Sequence, residues 1–130
     1  MARDIKFRAK RLDNGGWIYG DLHLRTPHAH IHSEVGRKAF IDTDTIGQFT
    51  GLLDKNGKEI YEGDIIGSEK VSGRVVSHKI EYDVENAMFV AKPLQGLDFD
   101  YCHIYKHWIC RYGKEVIGNI HDNPELLNNK

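Results

Sequence analysis

The stretch Ile46–Ile66, IGQFTGLLDKNGKEIYEGDII, constrains the fold more than any other part of the chain. It contains two sharp turns. Asp54-Lys55-Asn56-Gly57 places Asp at the first turn position and Gly at the fourth, the pattern of a type I turn closed by a left-handed glycine. Glu62-Gly63-Asp64 forms a second corner, with Gly63 able to take positive φ and the Asp64 carboxylate placed to accept backbone N–H groups. The flanking segments Gln48–Leu53, Lys58–Tyr61 and Ile65–Ile66 then read as short strands. A chain reversed twice in so few residues forms antiparallel ribbons, and no helix fits here. Asp54, Asn56, Gly57, Gly63 and Asp64 are accordingly expected to build turns.

The first 25 residues repeat the device. Asn14-Gly15 lies between two alternating segments, the strongest short-range hairpin signal. A two-residue type I′ loop sets Arg11 opposite Ile18, Ala9 opposite Gly20 and Phe7 opposite Leu22. One face of this hairpin is apolar; the other carries Lys6, Arg8, Lys10 and Leu12 opposite His23, Asp21, Tyr19 and Trp17. A slip of one residue would mix the two sets. A second hairpin is expected from His28–Ser33 through a turn at Val35–Lys38 to Ala39–Ile41. Further strands are expected at Arg74–Tyr82, Ala87–Lys92, within Tyr101–Ile109, and at Lys114–Ile120. Asn123-Pro124 sets an N-cap and a first helical position for one short C-terminal helix. Thirteen glycines and no other helical period indicate a mainly β chain.

With 130 residues the chain is long enough for one domain with a modest core. No apolar run approaches the roughly 20 residues that span a bilayer, and no signal-peptide pattern follows the N-terminus. Two cysteines do not make a disulfide framework, so a cytoplasmic protein with no membrane association is expected. A net charge of -1 argues against binding nucleic acid through global charge.

The segments IKFRAK (Ile5–Lys10), YGDL (Tyr19–Leu22), TIGQFTGLLDKNGKEIYEGDII (Thr45–Ile66) and EVIGNIHDNPELL (Glu115–Leu127) together resemble the YopX family of phage and prophage proteins. The resemblance spans nearly the whole chain in order. It implies a single YopX-like domain: N-terminal β-hairpins over residues 1–44, then a small SH3-like barrel and terminal helix over 45–130. It implies mobile-element origin and residence in a bacterial cytoplasm. It implies no catalytic residue and no cofactor.

Three constellations carry chemistry worth weighing. His28, His30 and His32 alternate, so three imidazoles would share one strand face. Successive same-face Cβ atoms lie about 6.6 Å apart, too widely spaced to converge on one ion, so a polar face is the expected reading. Cys102, His103, His107 and Cys110 hold zinc-type donors without the usual close pairing of ligands. Cys102 and Cys110 are expected to pack as small apolar residues. A Cys/His nucleophile would further need an oxyanion donor and a cleft. The third set, Lys6, Arg8 and Lys10 with Trp17 and Tyr19, would suit a nucleic-acid face of charges and stacking rings, although Asp21 opposite Arg8 would neutralise part of it. A calcium loop is excluded because the sixth and twelfth residues from Asp54 are Glu59 and Ile65. The pattern of a phosphate-binding loop does not occur. The expected activity is a non-enzymatic protein-interaction module that uses strand edges and the aromatics Trp17, Tyr19 and Trp108. Its partner would be a phage or host protein or a second copy of the chain, with nucleic acid as the alternative.

Overall fold

The computed structural model describes residues 3–25, 27–67, 77–94 and 102–128, the side chains of Cys102 and Asn128 excepted. The fold is mainly β. Two compact units divide the chain, Met1–Gly51 and Leu52–Lys130.

The first unit contains β1 (Phe7–Arg11), β2 (Trp17–His23), β3 (His30–His32) and most of β4 (Lys38–Leu53). The expected strands at Ala39–Ile41 and Gln48–Leu53 are parts of this one long β4. β1 pairs with β2, β2 with β3 and β3 with β4, and β4 returns to pair with β1, all antiparallel. Among these four strands each therefore has two neighbours, and their pairing runs in a closed circuit. Closure requires β4 to bend. Between Arg8↔Gly47 and Lys10↔Asp42 the register shifts, and Thr45 fills the irregularity. Its hydroxyl accepts from the Lys10 N–H at 2.8 Å and donates to the Asp42 carbonyl at 2.6 Å.

Alternation carries Ala9, Ile18, Ile31, Ala39 and Ile41 into a buried cluster, with Phe7, Leu22, Ala29 and Ile46 packed against it. Gly20, on the same face, has φ +152°, and a Cβ there would collide with the His32 carbonyl. Only glycine fits this crossing of β2 and β3.

The first hairpin differs from its expected register. Arg11 N–H donates to the Gly16 carbonyl at 2.8 Å and Gly15 N–H to the Arg11 carbonyl at 3.0 Å, giving a four-residue loop, Leu12–Gly15. Gly15 has positive φ (70°) and Asn14 does not, so the turn is not type I′. The Asn14 side chain accepts from the Gly16 N–H at 2.8 Å, and an Arg11–Asp13 pair at 2.7 Å braces the wider loop. Observed partners are Phe7↔Gly20, Arg8↔Tyr19, Ala9↔Ile18 and Lys10↔Trp17. A shift of two preserves parity, so every side chain keeps its expected face while its partner changes. Arg8 faces Tyr19, and Asp21 lies opposite His32.

In the second unit the end of β4 leads to β5 (Glu59–Tyr61). β6 (Asp64–Gly67), β7 (Ser77–Asp83), β8 (Met88–Pro93), β9 (Cys102–His103) and β10 (Glu115–Asn119) follow in the antiparallel order β10-β6-β7-β8-β9. Its core comprises Ile60, Ile66, Ile80, Ala91, Trp108 and Ile109. Arg74, Val75, Val76 and Tyr101, which were expected to belong to strands, lie outside the described residues. Lys106–Arg111 forms a helix, α1, where a strand was expected. Its consecutive residues Trp108 and Ile109 are both buried, a pattern that period-two alternation excludes. The C-terminal helix is a single 3-10 turn, Pro124–Asn128. Among the described residues no helix is long and apolar enough to cross a membrane.

Candidate functional site

The charged centre of the Ile46–Ile66 stretch is structural in its contacts. Asp54 is buried at 6% exposure. Its Oδ1 accepts from the N–H groups of Asn56 at 2.8 Å and Lys58 at 2.9 Å, and its Oδ2 accepts from Val116 N–H at 2.8 Å. One carboxylate thus closes its own turn and ties that turn to β10. Gly57 holds φ +83° at the turn's end, and Asn56 Nδ2 donates to Glu115 Oε2 at 2.9 Å. At the next corner Gly63 has φ +88°, and the buried Asp64 accepts from Tyr61 N–H at 2.7 Å. Gly63 also donates to Ile80 and accepts from Ile120, both at 2.9 Å. These carboxylate contacts all run to backbone donors and serve the turns.

The outer surface of the first unit is different. The strand register assembles the face opposite the buried cluster: Arg8 and Lys10 of β1, Trp17, Tyr19, Asp21 and His23 of β2, His30 and His32 of β3, then Lys38 and Phe40 of β4. Its cations lie on its rings. Arg8 stands 4.5 Å and Lys10 5.5 Å from the Trp17 ring centre, Lys6 lies 5.1 Å from that of Phe49, and Lys38 lies 5.5 Å from that of Phe40. Arg8 is buried at 5% exposure, whereas Tyr19 is 44% exposed. The row Lys6, Arg8, Lys10 therefore does not present three equivalent charges to solvent.

The three histidines separate. His30 is buried and stacks on His23, ring centres 4.6 Å apart. Its Nδ1 lies 3.2 Å from the His28 carbonyl and therefore donates to it. His28 lies outside β3 with its ring edge against Phe40, and His32 is exposed. The expectation of one shared polar face is corrected for His30, which its aromatic neighbours bury. Cys110 is exposed on α1 rather than part of the core, and the core positions there belong to Trp108 and Ile109. The Cys102 side chain lies outside the described residues. Among the described residues no three or more His, Cys, Asp or Glu side chains are grouped to hold a metal ion. Trp108, expected at the surface, is buried between the His78 ring and the Lys114 ammonium, 5.3 and 4.9 Å away.

Some of the strand edges expected to serve contacts are occupied, while β5 and β9 end their sheets. The first four strands close on themselves. In β10, Val116 N–H donates to Asp54 and Asn119 N–H to Asn123, while the adjoining Lys114 carbonyl accepts from Lys55 N–H.

What the structure adds is a groove. Leu12, Asp13, Lys38, Ala39 and Phe40 line a hollow of about 490 Å³, and a second hollow of about 300 Å³ shares Leu12 and Phe40 and continues over Pro27, His28, Ala29 and Ile41. Leu12 is 67% and Phe40 48% exposed, and Leu12 N–H donates to the Phe40 carbonyl at 3.0 Å. The signal was present in Leu12, an apolar residue on the charged face of its hairpin.

Comparison with known proteins places this geometry in context. A family model described as "YopX protein" matches residues 6–128. No curated protein matches. The crystal structure of protein EF1440 from Enterococcus faecalis is similar at 26% identity and a TM-score of 0.58, over 97% of this chain and 99% of that one.

Proposed function

The chain belongs to the YopX family, and from that premise we propose that it is a non-enzymatic protein-interaction module of phage or prophage origin, acting in the bacterial cytoplasm. In this reading the second unit is an SH3-like scaffold and the first unit presents the contact surface. One observation carries it: the first unit exposes Tyr19, Phe40 and Leu12, the last two lining a groove, while Arg8 is buried. Exposed rings and aliphatics beside a hollow suit a protein surface. Phosphate binding draws its strength from a series of accessible cations.

Affinity capture from a lysogenic host tests the proposal, with the wild-type chain and a Tyr19→Ala/Phe40→Asp variant run side by side. A protein retained by the wild type and lost by the variant supports it. Equal retention, or recovery of nucleic acid alone, overturns it. The nucleic-acid reading has its own support in Lys6, Lys10, Trp17 and Tyr19 lying on one face. It requires DNA binding at low salt that weakens as salt rises and is lost in Lys6→Glu/Lys10→Glu. Absence of binding in fluorescence anisotropy removes it.

A further inference from the structure

The geometry points to a specific occupant for the Leu12–Phe40 groove: a segment of a partner protein that carries a large apolar side chain next to an acidic residue. This deepens the protein-interaction reading and rests on it. The groove's charges decide the chemistry. Asp13 is already bridged to Arg11 through two contacts, Nε to Oδ1 at 2.9 Å and Nη2 to Oδ2 at 2.7 Å. Among the described residues no carboxylate pairs with Lys38, whose ammonium is held over the Phe40 ring at the rim. The walls otherwise present Leu12, Ala39 and Phe40. The result is an apolar hollow with one cation lacking a counter-charge. Its volume falls in the range that accepts a ligand-sized group.

Other occupants fit less well. A symmetric second copy would bring the same groove against itself, and its Asp13 is already tied to Arg11. A nucleic acid would need a run of accessible cations. An acidic neighbour on the partner would meet Lys38 while the apolar side chain covers Leu12 and Phe40. Burial of such a pair strengthens both contacts, because the ring and the aliphatic wall exclude water from the charges.

Selection of a displayed random peptide library on the full chain tests this, followed by affinity measurement of the enriched peptides. Enriched peptides should carry Leu, Ile, Phe or Trp within two positions of Asp or Glu. Lys38→Glu and Phe40→Asp should each weaken the best peptide by about tenfold or more, while Val84→Ser, on an exposed turn of the second unit, binds as the wild type. Lys38→Glu should in turn enrich basic peptides. Lys38 and Phe40 are exposed, so both variants should melt with the wild type; if Phe40→Asp does not, Phe40→Ser replaces it. Lack of enrichment, enriched peptides without acidic residues, or equal binding by Lys38→Glu overturns the proposal. So does salt-sensitive binding of single-stranded DNA that Lys38→Glu abolishes. The two readings fail differently. A host protein captured equally by the wild type and Lys38→Glu removes the groove's role and leaves the interaction module standing.

Discussion

The two units handle polar groups in opposite ways. In the second, the most distinctive polar residues point inward: Asp54 and Asp64 are almost without exposure, and their oxygens accept backbone N–H groups from three separate turns and strands. In the first, the interior cluster is aliphatic, and rings, imidazoles and cations gather on the opposite face, where Arg8 and His30 are buried among their neighbours. The most motif-like part of the chain therefore holds turns together, and the less patterned part carries the surface proposed for recognition. Distinctiveness in a sequence measures how demanding a position is, and a buried carboxylate with three donors to satisfy is as demanding as a catalytic one.

The contrast can be broken by substitution. The largest effect is expected from Asp54→Ala, which leaves three N–H groups without their acceptor at about 1.5 kcal/mol each, hence about 4.5 kcal/mol of lost stability. Urea denaturation gives the size, and hydrogen-exchange mass spectrometry locates the loss in residues 52–67 and 114–119. A loss under about 1 kcal/mol would show that the carboxylate is not the tie described. Gly20→Ala is the counterpart in the first unit. A Cβ meeting the His32 carbonyl should cost about 3 kcal/mol, with exchange rising in β2 and β3. Gly57→Ala has open space around it and is strained only by its positive φ, so about 1 kcal/mol is expected. Tyr19→Ala, on the presenting face, should change stability by no more than about 0.5 kcal/mol. If it matched Asp54→Ala, the distinction between scaffold and surface would fail.

The smallest effect belongs to pH. The hydrogen bond from Arg11 pulls the Asp13 carboxyl below its ordinary range. A lowered folded-state pKa means stability that is present above the usual carboxylate range and lost as pH falls through the folded value. Asp13 is exposed and the pair is screened by solvent, so the acid arm of the melting curve should differ only slightly between wild type and Asp13→Asn, and not at all in high salt.

Much of the fold was legible because turns and alternation are local. Gly15, Gly57 and Gly63 mark reversals through a backbone angle that no tertiary contact needs to explain. The hairpin faces survived an error of two in register because side-chain direction depends only on parity. α1 escaped because six residues with two buried neighbours are too few to display a helical period. The candidate site was legible only in pieces. Leu12 looked out of place, but its meeting with Phe40 depends on β1 pairing with β4, a long-range closure that no window of sequence displays. The burial of Arg8 follows from Trp17 lying over it, which the hairpin register alone did not reveal.

That closure also sets a clock. Phe7 finds its partner Gln48 only after some forty further residues have been synthesised. At about 5–20 residues per second, a nascent β1–β2 hairpin, complete once His23 is made, waits roughly one to five seconds on the ribosome with one side of β1 unpaired. Clusters of slow codons before residue 48 would lengthen that interval, during which nascent chains on neighbouring ribosomes could pair through β1 and the encoded protein would be lost to co-translational aggregation.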